Sequence, residues 1–181
     1  MAINEEKRHD PAMTIIHLGP MTRLCLRWFT RFLMFAVFLP IGVGTAIGYA
    51  KGWPEDWRAA NWSSSGLLPK AESLPEPRVY VLAARTGRWK SIFAEHMAIV
   101  LKAEGATRWT RYDVVGWGNP VRRDAFAADA WWYGNRPYVV ASFSGAEATA
   151  LIPRIENSIA RYPNSSRGSY VVWPGPNSNS F

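Results

Sequence analysis

Nineteen consecutive residues, Phe32 to Ala50, carry no charge and consist mostly of Phe, Leu, Ile, Val, Ala and Gly. Wound as an α-helix, they cover nearly the ~30 Å hydrocarbon thickness of a bilayer. A chain holding such a stretch must place it in lipid, remove it or bury it. Arg23, Arg27 and Arg31 lead into it with no acid among them, whereas Lys51 just after it is offset by Glu55 and Asp56. That asymmetry orients an anchor with its N-terminus in the cytoplasm and the rest of the chain outside. A cleaved signal peptide competes, since Gly48-Tyr49-Ala50 is a small-x-small site, although the apolar run exceeds the usual h-region. A buried core helix is the third alternative, opposed by Pro40 and three glycines.

The chain thus divides into a polar leader (residues 1–31), a transmembrane helix (32–50), a linker (51–77) and a folded domain (78–181). The linker holds Trp53, Trp57, Trp62, four prolines and the triplet Ser63-Ser64-Ser65. Trp53 and Trp57 are spaced to sit together at headgroup level, or to pack on the domain that follows.

Charge narrows the partners. Of the formal net charge of +7, residues 79–181 carry twelve Lys/Arg against seven Asp/Glu, yet no basic run exceeds Arg122-Arg123. No nucleic-acid tail is expected, and surplus surface Arg is the simpler account of the basic balance. Cys25 is the one cysteine and precedes the apolar stretch, while two of the three histidines, His9 and His17, lie in the leader. Disulfides and Cys- or His-cluster metal sites are therefore excluded from the domain, and no cofactor is expected.

Within the domain, Val79–Ala84 reads as a buried strand, Glu95–Lys102 as a second, and Thr110–Trp117 as a third that pairs back on it through a loop containing Gly105. Gly116-Trp117-Gly118-Asn119-Pro120 breaks the third strand, and 121–136 reads as a short helix and loop. Asp124 and Asp129 there are expected as solvated helix charges beside Arg122 and Arg123 rather than a glycosidase pair. Trp131-Trp132-Tyr133 is either core or a ligand platform. Pro137–Phe143 is the fourth strand. Ser144-Gly145-Ala146-Glu147 is a capping box opening a helix with the stripe Ala148, Leu151, Ile152, Ile155 and Ile159, which Pro153 should kink or split. Ser169–Trp173 reads as a fifth strand. After it, Pro174-Gly175-Pro176-Asn177-Ser178-Asn179-Ser180 forms an elbow and a helix start. The expected class is α+β, with about five mostly antiparallel strands and one main helix.

Two stretches can carry chemistry. A helix start offers free N–H groups and hydroxyls that bind anions or house a nucleophile. His96 is the domain's only histidine. If Ala98 pairs with Asp113, His96 and Asp113 become diagonal neighbours on one face and Asp113 can orient the imidazole; a slip of one residue separates them. The alternative for His96 is a half-buried strand-end residue with a backbone partner.

The combination of Arg111-Tyr112-Asp113-Val114-Val115-Gly116-Trp117-Gly118, Leu151-Ile152-Pro153-Arg154-Ile155-Glu156 and Trp173-Pro174-Gly175-Pro176-Asn177-Ser178-Asn179-Ser180-Phe181 resembles a bacterial family, domain of unknown function 3750. The resemblance covers roughly residues 78–181. With the apolar stretch and its flanking charges, a bacterial source places the chain in the inner membrane, single-pass, with its domain extracytoplasmic. The resemblance also implies a further helix beyond Phe181, so that the domain is incomplete here. A strand-borne His ahead of a Gly/Pro/Asn elbow is in turn similar to the permuted papain-like arrangement of cell-wall peptidases and lipid acyltransferases. There a Cys holds the position that Ser178 holds here.

That likeness implies a catalytic set of His96, Asp113 and Ser178, with Asn177, Asn179 and Trp117 as binding residues and no metal. Two functions follow: a non-catalytic relative whose cleft binds a cell-envelope ligand, or an extracytoplasmic hydrolase or acyltransferase using the Ser/His pair. The anchor is tested by fractionation. An anchored chain stays in the membrane pellet through an alkaline wash, and release into the supernatant contradicts it.

Overall fold

The computed structural model describes residues 19–52 and 56–180; the expectations for His9, His17, Trp53 and most of the leader lie outside them. The chain comprises two units, residues 1–40 and 41–181. Helix α1 (Pro20–Lys51) begins well before the uncharged stretch and takes in Arg23, Arg27 and Arg31. Proline at its first position suits a helix start, where the missing N–H has no partner to lose. The helix runs through Pro40 without a break. Its Phe, Leu, Val and Ile side chains are exposed nearly all round, and it is long and apolar enough to cross a membrane. Such length and composition make it a candidate membrane span, a test that a signal sequence also passes.

The domain is built on a five-stranded antiparallel sheet. Its strands are β1 (Arg78–Arg85), β2 (Glu95–Lys102), β3 (Thr110–Val114), β4 (Val121–Arg123) and β5 (Tyr138–Ser144), in the order β4-β3-β2-β1-β5. With helix α2 (Gly145–Ala160) the class is α+β, as expected. The sheet does not follow the expected strand list throughout. Residues 121–123, expected as helix and loop, form edge strand β4. Residues 169–173, expected as the fifth strand, pair with no strand; Val171 donates its N–H to Pro176 O within its own loop.

Alternation along the strands divides the sheet's side chains. On one face Val79, Leu101, Tyr112, Ile99 and Phe143 pack against Ala148, Leu151, Ile152, Ile155 and Ile159 of α2. The helical stripe is therefore as expected, but Pro153 does not split it: α2 is one helix of 16 residues. The proline forfeits one backbone hydrogen bond on an exposed position, and the apolar contacts on either side of it hold the helix together. Ser144 stands at the N-cap, yet its side chain makes no capping bond.

The other face carries His96, Ala98, Val100 and Lys102 of β2 beside Arg111 and Asp113 of β3, all buried. No helix covers it. Trp62, Phe126, Trp132 and Tyr133 pack there as an aromatic cluster, with Trp62 5.3 Å from Phe126 and 5.1 Å from Trp132 between ring centroids.

Much of that cover comes from the stretch expected as a linker. Trp131 N–H donates to Ser63 O at 2.9 Å, Trp109 Nε1–H to Pro69 O at 3.0 Å, and Gly105 N–H to Pro75 O at 2.9 Å. Lys102, fully buried, reaches Glu76 O at 3.2 Å. Asp129 pins this strap. It is 4% exposed, and its carboxylate accepts from Ser64 Oγ at 2.6 Å and from Leu68 N–H at 3.2 Å. Burial alone would raise its pKa; the Ser64 bond and the backbone N–H groups outweigh that and hold it below the ordinary carboxylate value. The expectation of a solvated Asp129 is thus overturned. Asp124 stays at the surface, but its Oδ1 accepts Arg111 N–H at 2.8 Å and so ties a turn to β3.

Replacing Asp129 with Ala should lower unfolding stability by about 2–4 kcal/mol, because two charge-assisted bonds from Ser64 and Leu68 vanish. Chemical denaturation of Asp129→Ala against the parent measures it; a loss below about 0.5 kcal/mol would mean that the strap does not depend on Asp129.

Candidate functional site

The register places a charged chain inside the uncovered face. Ala98 pairs with Asp113, and Val100 with Arg111. His96, two residues from Ala98, is therefore the diagonal neighbour of Asp113, the condition on which their contact depends. His96 Nε2–H donates to Asp113 Oδ1 at 2.7 Å. Arg111 holds the same carboxylate with two bonds, Nε–H to Oδ2 and Nη2–H to Oδ1, both 2.8 Å. Its remaining nitrogen, Nη1, donates to Ala127 O at 3.0 Å and Ala128 O at 3.3 Å. Asp113 is 0% exposed and Arg111 3%.

Electrostatics then sets the state of each group. Burial would push the Asp113 carboxyl up, but the hydrogen bonds from His96 and Arg111, together with the Arg111 charge, hold its pKa below the usual value. Asp113 is thus a carboxylate, and the nitrogen facing it must carry the proton. Arg111 already balances its charge. A cationic imidazole would be a second positive charge in a dry site, and burial lowers the His96 pKa below 6.5 despite the bond to Asp113, with Arg111 adding to the fall.

His96 is consequently neutral at pH 7, with its proton on Nε2 and a lone pair on Nδ1. Nδ1 has no hydrogen-bond partner among the described residues. The indole of Trp132 lies flat against the ring, 3.5 Å between centroids and 4° from parallel, and fixes its plane. The imidazole thus has one nitrogen committed to Asp113 and one available as an acceptor.

That ring lines a cleft of about 480 Å³. Its lining also includes Asn177, Ser178 and Asn179, together with the aromatic rings of Trp117, Tyr133 and Tyr170. Gly87 lies where a Cβ would come within 2.5 Å of the Tyr133 ring, so only glycine allows that approach. The Ser178 loop is a tight turn in the described residues, not the start of a helix. Asn177 N–H donates to Ser180 Oγ at 2.8 Å, and Asn177 Oδ1 accepts Asn179 N–H at 3.0 Å. Ser178 is 8% exposed. Its Oγ lies 3.5 Å from Asn179 Oδ1 and makes no bond to His96, and its N–H has no acceptor among the described residues.

Residues 76–181 match the family described as Protein of unknown function (DUF3750). The chain belongs to this family. No curated protein and no solved structure matches it. The match takes in the whole sheet, α2 and every cleft residue, whereas the strap residues from Asn61 to Pro75 precede it.

Five of the six candidate residues, His96, Ser178, Asn177, Asn179 and Trp117, line one cleft, and Asp113 lies behind His96. Asn177 is committed to its turn, since its Nδ2 also donates to Val172 O at 2.9 Å. Among the described residues, no group of three His, Cys, Asp or Glu side chains is placed to hold a metal. Sequence reasoning missed Arg111, and it named Trp132 only as core or ligand platform without linking it to His96. Arg111 stands two residues before Asp113, hence on its face of the strand, and that spacing was the available signal. The run of adjacent aromatics marks Trp132, but a loop brings it to His96, and no sequence signal shows that contact.

An NMR titration of the His96 ring should show a midpoint below 6.5, with the neutral Nε2–H tautomer above it. Because the folded pKa is lowered, His96 adds stability above the unfolded pKa, and that stability is lost as pH falls below 6.5. Arg111→Gln should move the midpoint up, since the carboxylate is then left uncompensated. A wild-type midpoint above 6.5 would contradict the assignment.

Proposed function

We propose that the cleft is the active site of a membrane-anchored hydrolase or acyltransferase of the bacterial cell envelope, with Ser178 as nucleophile and His96 as general base. The observation that carries it is the free, unprotonated Nδ1 of a buried imidazole, held by Asp113 and Trp132 at a cleft that contains a serine hydroxyl. In this reading Nδ1 takes the Ser178 proton as Oγ attacks a carbonyl carbon. The oxyanion accepts the unpartnered Ser178 N–H, and the leaving group takes the proton from the imidazolium. Water, or an alcohol or amine acceptor, then releases the acyl group by the same steps in reverse. Asp113 orients the ring, and Arg111 keeps Asp113 ionised without raising the basicity of His96. Likeness to the permuted papain-like arrangement supports the His-before-nucleophile order. Three Arg ahead of the apolar core of α1 support an extracytoplasmic domain on the inner membrane.

A second reading, a non-catalytic cleft that binds an envelope ligand, is favoured by one observation: Ser178 Oγ faces Asn179 and is not bonded to His96. Catalytic hydrogen bonds often tighten only when substrate is bound, which is why the enzymatic reading ranks first.

Turnover of acyl ester substrates by the full chain separates the two. Ser178→Ala should abolish it, and His96→Gln should lower kcat by roughly 10²–10⁴-fold with KM little changed. Turnover unaffected by Ser178→Ala, or absent while an envelope ligand still binds, supports the binding cleft instead.

A further inference from the structure

Exposed aromatics line the cleft, and others adjoin its lining residues: Phe93 stands beside Trp89, and Trp173 follows Val172. Trp89 and Phe93, on and just after the 3₁₀ turn Arg88–Ile92, stand 5.6 Å apart between ring centroids and are 56% and 66% exposed. Trp117, Val172 and Trp173 are 47%, 60% and 85% exposed; Trp117 and Val172 share the cleft lining with Trp89. A soluble domain rarely leaves so many large apolar side chains together unless something covers them. Arg88 and Lys90 flank Trp89 in the sequence, line the same cleft and are exposed. Glu95 is the one acid of the lining, and its carboxylate accepts the Tyr138 hydroxyl at 2.7 Å.

Tryptophan interleaved with Arg and Lys is the pattern of a surface seated at lipid headgroups: the rings enter the interface and the cations meet anionic lipid. The chain also limits what else these aromatics can meet. Asn61, whose carbonyl accepts Gly134 N–H, lies ten residues beyond Lys51, the end of α1. Ten residues span at most ~35 Å. With α1 in a bilayer, the domain is tethered to that bilayer's surface, and a weakly lipophilic patch then binds as an intramolecular partner.

We infer that the domain docks on an anionic lipid surface through Trp89, Phe93 and Trp173, with Arg88 and Lys90 on the headgroups. The inference rests on the anchor of the proposed function and is independent of the chemistry at Ser178.

The test uses the full chain as Phe93→Cys in a Cys25→Ser background, labelled with an environment-sensitive fluorophore and reconstituted in nanodiscs. Discs of phosphatidylcholine mixed with phosphatidylglycerol are compared with phosphatidylcholine alone. In anionic discs the emission should shift to the blue and reduction by dithionite should slow by about tenfold. Arg88→Glu with Lys90→Glu should remove both effects, while a label at Ser158→Cys on α2 stays in water throughout. A Phe93 label equally quenched in both discs overturns the docking while leaving the anchor intact. Protection that ignores anionic lipid and grows with protein concentration overturns it in favour of a second copy. Failure of the chain to co-elute with discs overturns anchor and docking together.

Discussion

A buried ion pair sets the character of the domain. Asp113 is fully enclosed, and Arg111 grips both of its oxygens from two residues away on the same strand. Removing either partner would strand a charge in a dry interior, at a cost of about 3–5 kcal/mol. The pair also decides the chemistry of its neighbour. With the carboxylate charge already balanced, His96 has an acceptor for Nε2–H but no electrostatic need to become cationic, and burial drives it further toward the neutral form. The outcome is a base aimed away from the sheet.

Everything around the pair serves to keep water from it. α2 covers the opposite face of the sheet, so the site's own face has to be roofed by loops. The aromatic cluster and the strap provide the roof, and Asp129 fastens the strap through side chains 65 residues apart in sequence. One side remains open, as a cleft whose lining includes both His96 and Ser178. Trp132 belongs to both systems: it is part of the aromatic roof, and it is the plane on which His96 rests.

Period-two alternation made β1, β2, β3 and β5 legible in the sequence, and the apolar stripe made α2 legible even across Pro153. The His96–Asp113 contact was legible as far as a register could be supposed. What escaped notice depended on partners remote in the chain. Val121-Arg122-Arg123 is too polar to announce a strand, but an edge strand needs only one neighbour, and β3 supplies it. Val171-Val172-Trp173 has strand composition and no partner, because composition measures fitness for a sheet and not the presence of a free edge. The strap reads as a linker since Pro and Ser order only against what they touch. Arg111 was passed over because an arginine in a strand usually points to solvent, and only the sheet's second roofed face makes this position interior.

The central claim is that the Arg111–Asp113 pair holds a neutral His96 ready to activate Ser178. Fluorophosphonate treatment of the full chain at pH 7, followed by peptide mass spectrometry, tests it most directly. The account predicts one adduct, on Ser178, formed at a rate that collapses in a folded His96→Gln variant. An unmodified Ser178, or an adduct that forms as fast without His96, would contradict it.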